Sequence, residues 1–187
     1  MTSDTRPNTV CTMNRKGKTV ISSAALTNLA LARRFPDDLG MDQPTAGRLD
    51  GQDHLLPVRV YYEDTDFTGL VYHGSYVRFF ERGRSDFLRA VGIGHAELLA
   101  GDQPMAFVLA TLNLTYLRPA RIDDALIVRT RYRAIKGPRL LIDQVIERDG
   151  EALCRAEVIA VCIHLDGRPR RPTPALVAAV KPWLTET

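Results

Sequence analysis

The sequence predicts an α+β domain in which an antiparallel sheet covers a long helix with one of its faces. Three observations carry this expectation. Met105–Leu117, Ala125–Ile135, Leu140–Arg148 and Glu151–Leu165 read as four consecutive strands, the last three joined by the tight turns Lys136-Gly-Pro-Arg139 and Asp149-Gly150. Tyr76, Phe79, Phe80, Gly83 and Phe87 recur at three- and four-residue steps, the spacing of one apolar helix face. Cys154, Ala156, Val158, Ala160 and Cys162 place small side chains on one face of the last strand, so an aromatic helix can lie close to it.

Composition bounds the remaining possibilities. A chain of 187 residues that is 45% hydrophobic and 25% charged can form one globular domain with a substantial core. No stretch is long and apolar enough to read as a membrane-spanning helix. The three cysteines, Cys11, Cys154 and Cys162, form no metal-binding spacing, and the last two share one strand face. That usage predicts a reducing compartment, the cytoplasm, with no disulfide framework.

The first 54 residues differ in character from the rest of the chain. Thr2–Thr19 is polar and basic, Ile21–Leu31 is mildly apolar, and Asp37–Gln52 is rich in Gly, Asp and Pro. Ser, Thr and Asn interrupt the apolar run and Arg33-Arg34 come after it, a poor fit to a secretory signal. Residues 1–54 therefore read as a disordered extension, or as sequence upstream of a true start at Met41. An organelle transit peptide is the alternative, since Arg, Ser and Thr are frequent before Phe35. The globular domain is expected over residues 55–187.

Val58–Glu63 alternates as a strand, with Val58, Val60 and Tyr62 on one face and Arg59, Tyr61 and Glu63 on the other. Asp64-Thr-Asp-Phe-Thr-Gly69 comes next as a polar turn, and a helix begins near His73 and runs to about Ala90. A helix start leaves backbone N–H groups unpaired at the positive end of the macrodipole, where they can polarise a carbonyl oxygen. Asp66, a few residues upstream, is placed to face the same spot. A held carbonyl oxygen and an oxygen nucleophile facing it are the layout of a small acyl-transfer site. An Asp with a reference pKa of about 3.9 is ionised at neutral pH and can serve.

The run Tyr61-Tyr-Glu-Asp-Thr-Asp66-Phe-Thr-Gly69-Leu-Val-Tyr-His73-Gly-Ser-Tyr76 resembles the signature of the acyl-CoA thioesterases related to 4-hydroxybenzoyl-CoA thioesterase. It is most similar to the branch associated with the bacterial Tol-Pal envelope system. The resemblance covers about residues 57–183. It implies a hotdog fold, a sheet wrapped around a central helix, with pairs of subunits forming the active site. It places the catalytic carboxylate on Asp66 and the carbonyl-polarising helix start on His73. Gly69, Val71 and Tyr72 then surround the substrate, and Glu81 matches an acid that faces the acyl pocket. Phe67-Thr68 departs from the small residues often found before that glycine. The carboxylate acts either as a nucleophile or as a base activating water, and the sequence leaves both open. No cofactor is implied, coenzyme A being part of the substrate.

Each of these residues also has a purely structural reading. Asp66 can be a turn residue bonding its own backbone, His73 can matter only through its backbone, and Glu81 can be a solvated helix residue. Glu63 and Asp64 project to opposite faces if the strand continues, which argues against a metal site. Arg129, Arg131, Arg133, Lys136 and Arg139 form a basic stripe on a chain of net charge +3. Arg129, Lys136 and Arg139 can receive coenzyme A phosphates or an acidic acyl carrier protein, or the stripe can be a solvated outer face; Arg118 and Arg121, flanking Pro119-Ala120, are similar candidates. It lacks the interleaved aromatics of a nucleic-acid surface. The expectation is an acyl-CoA hydrolase acting as a homodimer or homotetramer. The alternatives are a hotdog hydratase or dehydratase, which needs a His with an acid, and a non-catalytic acyl-carrier or envelope-system binding protein.

Overall fold

The computed structural model describes residues 12–13, 19–20, 46–101 and 103–186. The chain divides into two compact units, Met1–Gln43 and Pro44–Thr187. In the first unit, β1 (Thr12–Met13) pairs antiparallel with β2 (Thr19–Val20). The expectations of a disordered extension, of a start at Met41, and for Cys11 otherwise fall outside the described residues.

The second unit is one six-stranded antiparallel sheet in the order β3-β4-β6-β7-β8-β5. Its strands are β3 (Arg48–Asp50), β4 (Asp53–Arg59), β5 (Ala106–Tyr116), β6 (Ala125–Lys136), β7 (Arg139–Arg148) and β8 (Glu151–Ile163). The helices are α1 (His73–Ala90), α2 (His95–Ala100) and α3 (Pro174–Val180). The sheet thus takes in residues 48–54, which the sequence pattern assigns to the extension. The gain comes from a hairpin that pairs Arg48 with Leu55 and Asp50 with Asp53 and buries Leu55.

β6 alternates as its pattern predicts, with Leu126, Val128, Thr130 and Tyr132 buried and Arg129, Arg131 and Arg133 on the other face. The β7–β8 hairpin turns on Asp149-Gly150, both at positive φ (52° and 80°), the conformation an Asp-Gly hairpin favours. On β8 the small face is buried throughout from Cys154 to Cys162. α1 lies over the inner face of the sheet. Phe79, Phe80 and Phe87 are at most 1% exposed, and burying each contributes about 1.5–3 kcal/mol. Phe87 stacks on Tyr132 with ring centroids 4.2 Å apart. α3 is capped by Thr173, whose Oγ1 accepts the Leu176 N–H, and buries Leu176 and Val180. Trp183 packs against the same core.

One strand differs from its prediction. The expected Val58–Glu63 is shifted toward the N-terminus, to Asp53–Arg59, and Tyr62–Asp64 form a turn of 3-10 helix. Pro57 is tolerated inside β4 because the outer neighbour β3 pairs only with residues 53–55, so no ladder bond is lost there. The strand ends where the Asp64 carboxylate accepts the Tyr61 N–H and turns the chain back. Tyr62 is consequently 85% exposed instead of sharing an inner face with the fully buried Val60.

Gly83 marks the closest approach of α1 to the sheet. A Cβ there would sit 2.8 Å from both Thr130 Oγ1 and Val128 Cγ1. Overpacking of this kind costs about 1–3 kcal/mol, against about 1 kcal/mol of helix propensity gained from Ala. Gly83→Ala is therefore expected to lower the urea unfolding midpoint without changing its slope. A raised midpoint would show that the helix lifts from the sheet at no cost.

Candidate active site

The loop between β4 and α1 is built from backbone bonds that leave one carboxylate pointing out. Val60 is pinned on both sides: its N–H donates to Asp124 O (3.0 Å) and its C=O accepts from Asp123 N–H (3.1 Å). Asp64 is 1% exposed and closes the base of the loop, its Oδ2 accepting from Tyr61 N–H (3.0 Å) and its C=O from Tyr72 N–H (2.9 Å). Above that clasp, Asp66 N–H donates to Leu70 O (2.9 Å) and Gly69 N–H to Asp66 O (3.1 Å). Gly69 turns at a φ of +76°, which a side chain would disfavour. The two neighbouring acids therefore have opposite roles: Asp64 holds the loop and Asp66 is presented by it.

The Asp66 carboxylate is exposed and polarised from one side. Thr68 donates both its backbone N–H (2.8 Å) and its hydroxyl (2.5 Å) to Oδ1. The Thr68 hydroxyl, then its N–H, hold the carboxyl below the usual Asp range. Both bonds end on Oδ1, so among the described residues Oδ2 is free to act.

Beside it α1 begins at His73 after Tyr72. Among the described residues the His73 and Gly74 N–H groups have no backbone acceptor, while Ser75 N–H donates to Tyr72 O (2.8 Å). The His73 ring is exposed and lies against Tyr72, centroids 4.1 Å apart. Tyr116 at the end of β5 donates its hydroxyl to His73 O (3.1 Å), and Tyr76 accepts the Ala120 N–H on its hydroxyl (2.8 Å). These bonds tie the helix start to the segment after β5. Together they border a cavity of about 420 Å³. Asp66, Leu70, Val71, Tyr72, His73 and Tyr76 form one wall, and Tyr116, Leu117, Arg118 and Pro119 the other.

Of the residues singled out in the sequence, Asp66, His73, Val71 and Tyr72 meet in this cavity, and Gly69 makes its turn. Glu81, about two helical turns beyond His73, does not line it; its Oε1 accepts the Ser85 hydroxyl. Arg129 lies on the outer face of β6, bonded through Nε and Nη2 to Glu147 (3.2 and 3.0 Å) and through Nη1 to Asp53 (3.0 Å). Arg131 is bidentate to the same Asp53, Arg133 pairs with Asp143, and Lys136 pairs with Glu186. Arg139 is exposed at the β6–β7 turn. Within this chain the basic stripe is thus largely neutralised by acids and stands apart from Asp66. Burial pushes the thiols of Cys154 and Cys162 up to about 11 and about 12, so neither is a thiolate nucleophile at neutral pH.

Sequence reasoning missed Thr68 and, apart from Arg118, the wall after β5. The Asp-x-Thr-Gly spacing is the signal for the first, a side-chain turn in which Asp accepts from the residue two positions on. The second arises from a contact between segments 43 residues apart and has no local signature.

A sheet wrapped around one long helix, with a carboxylate presented at the helix start, defines the class of hotdog-fold thioesterases. The model of the thioesterase-like superfamily matches residues 60–186, and the chain belongs to that family. Among its relatives, the acyl-CoA thioesterase YbgC of Haemophilus influenzae is 43% identical over 110 residues, 59% of this chain and 80% of that one. The acyl-CoA thioester hydrolase YbgC of Shigella flexneri is 40% identical over 127 residues, 67% and 93% of the two chains. In structure, a probable thioesterase from Bartonella henselae superposes with a TM-score of 0.63 at 39% identity, over 65% of this chain and 99% of that one. The YbgC likeness agrees with the branch indicated by the motif.

The local bonds make a direct expectation for Asp66. Thr68→Val removes the hydroxyl donor and keeps the N–H, so the carboxyl pKa rises toward its ordinary value. An NMR titration of the Asp66 side-chain carbon should show a midpoint at higher pH in the variant; an unmoved midpoint would mean that the hydroxyl does not hold the carboxylate.

Proposed function

We propose that this chain hydrolyses acyl-CoA thioesters to the free acid and coenzyme A, with Asp66 as the reacting carboxylate. The observation that carries the reading is the shared cavity of the exposed Asp66 carboxylate and the start of α1. The thioester carbonyl oxygen lies at the unpaired N–H groups of His73 and Gly74, at the positive end of an 18-residue helix. A donor aimed at a developing oxyanion is worth roughly 3 to 4 kcal/mol. Asp66 Oδ2 approaches the carbon from the other side, as a nucleophile giving a mixed anhydride or as a base for water. Either way, negative charge moves onto the carbonyl oxygen and the coenzyme A thiolate leaves. The activities for which the YbgC relatives are named support this substrate class.

The active form is a homodimer or a dimer of dimers. β5 is an edge strand with Val108, Leu109 and Tyr116 each more than 40% exposed, and Leu117 lies just beyond it at the cavity wall. An apolar, unpaired edge beside the site supports a second copy closing it. Free, buried Cys154 and Cys162 fit a reducing compartment, and the cytoplasm is where the reading places the enzyme. No helix among the described residues is long and apolar enough to cross a membrane.

Thiol release from short, long and aromatic acyl-CoAs tests the assignment. Asp66→Asn, folded by circular dichroism, should lose about a hundredfold or more in kcat, whereas His73→Ala, which keeps the backbone N–H, should retain most of it. Equal rates for wild type and Asp66→Asn would remove the carboxylate from the reaction, and an inactive His73→Ala would favour proton-transfer chemistry by the imidazole. Sedimentation velocity should give at least a dimer; a monomer at working concentration would contradict the shared site.

A further inference from the structure

A second cavity of about 420 Å³ lies farther along α1, between that helix, α2 and the start of β5. Most of its lining is apolar, including Leu88, Leu98, Met105, Phe107 and Ile142. Two deeply buried polar side chains face into it. Arg84 is 9% exposed, and among the described residues its guanidinium makes one hydrogen bond, from Nη1 to Gln144 Oε1 (2.9 Å), and no ion pair. Tyr132 is 2% exposed, and among the described residues its hydroxyl has no protein partner, although its ring is stacked on Phe87. Both residues line the cavity.

A buried guanidinium without a carboxylate is costly to maintain unless something meets it. Its four remaining N–H groups form a planar fork suited to a carboxylate, and the adjacent phenol supplies a further donor. Burial disfavours the charged form of Arg84, while Tyr132 and Glu81 act in the opposite sense. Glu81 is the nearest acid in the lining, but it sits at the exposed mouth and is bonded to Ser85. The rest of the lining suits a methylene stem.

The second cavity lies farther along the same helix that borders the first. His73 meets Tyr116 near the end of β5, and Arg84 and Leu88 line the second cavity with Phe107 and Val108 from near its start. His73 and Arg84 are separated by roughly 16 Å along the helix axis. We infer that the acyl chain extends from the thioester at Asp66 along α1 to the second cavity, and that Arg84 and Tyr132 receive a carboxylate at its distal end. The preferred substrates are then ω-carboxyacyl thioesters, and the two side chains are specificity determinants. This inference rests on the thioesterase reading above.

The experiment compares length-matched pairs of CoA thioesters, plain acyl against ω-carboxyacyl, from four to twelve carbons, with wild type, Arg84→Met, Arg84→Lys and Tyr132→Phe. Wild type should favour the ω-carboxy member at one or more lengths. Arg84→Met should lower the ratio of kcat/KM for that member to kcat/KM for its plain partner about tenfold or more, and Arg84→Lys, which keeps a donor for Gln144, should restore part of that ratio. Tyr132→Phe keeps the ring in its stack and should show a smaller loss confined to the ω-carboxy member, which holds even if Arg84→Met folds poorly. Titration calorimetry of the same thioesters on Asp66→Asn gives the preference without turnover. Hydrolysis of plain acyl-CoAs with no ω-carboxy preference at any length would overturn this inference and leave the thioesterase reading standing. Binding of ω-carboxyacyl-CoA without hydrolysis by wild type would overturn the thioesterase reading instead.

Discussion

The close seating of α1 on the sheet is the constraint on which the rest of the molecule depends. Gly83 brings the helix backbone against Thr130 and Val128, and the small side chains of β8 leave room for the phenylalanines on either side. A buried polar junction fixes the register of that contact. Gln144 on β7 donates through Nε2 to Phe80 O (2.9 Å) and Thr130 Oγ1 (2.8 Å) and accepts from Arg84 through Oε1 (2.9 Å). Apolar packing alone would tolerate a helix that slides; three directed bonds from one amide do not, because a slip leaves buried donors and acceptors unpaired. The position of the helix start, and therefore of the N–H groups beside Asp66, depends on this junction nearly two turns further along α1.

The sequence makes the sheet and helix legible where one side-chain period dominates. β6 to β8 alternate because one face is covered and the other is wet, and α1 shows its apolar spacing because it has one neighbour, the sheet. The strand before the site lies away from its expected position because its residues answer to different neighbours. Pro57 looks like a break and is harmless where β3 has ended, while Tyr61 and Tyr62 look like strand residues and are turned outward by the Asp64 carboxylate. In the site, Asp66 and His73 can be found because their spacing to a glycine is local. The wall from Tyr116 to Pro119 cannot, since only the folded sheet brings it to the helix start.

Charge shows the same dependence on context. Read along the chain, Arg129 and Arg131 look like free cations ready for phosphate, and Arg84 looks like one more charge on a helix. In the fold the order reverses. Asp53 and Glu147 hold Arg129, Asp53 holds Arg131 in a bidentate pair, and these bonds favour the charged state of both arginines. Arg84 has an amide oxygen and an open cavity. Arg84, without a carboxylate partner among the described residues, puts a positive charge inside the domain, where the local dielectric makes it more discriminating than on the surface.

The low basicity of Asp66 fits the chemistry of a thioester better than that of an ester or amide. Hydrogen bonds from Thr68 stabilise the carboxylate, which keeps it ionised but weakens it as nucleophile and as base. Such a group is poorly matched to a substrate with a strongly basic leaving group. A thiolate leaves readily, so the difficult part of the proposed reaction is charge developing on the carbonyl oxygen, which that proposal assigns to the helix start. The two carboxylate oxygens differ in their surroundings. Oδ1 is fixed by Thr68, which sets the orientation of the group, while Oδ2 has no partner among the described residues, so in the proposed reaction the loop would supply aim and constant ionisation and the start of α1 the electrostatic stabilisation.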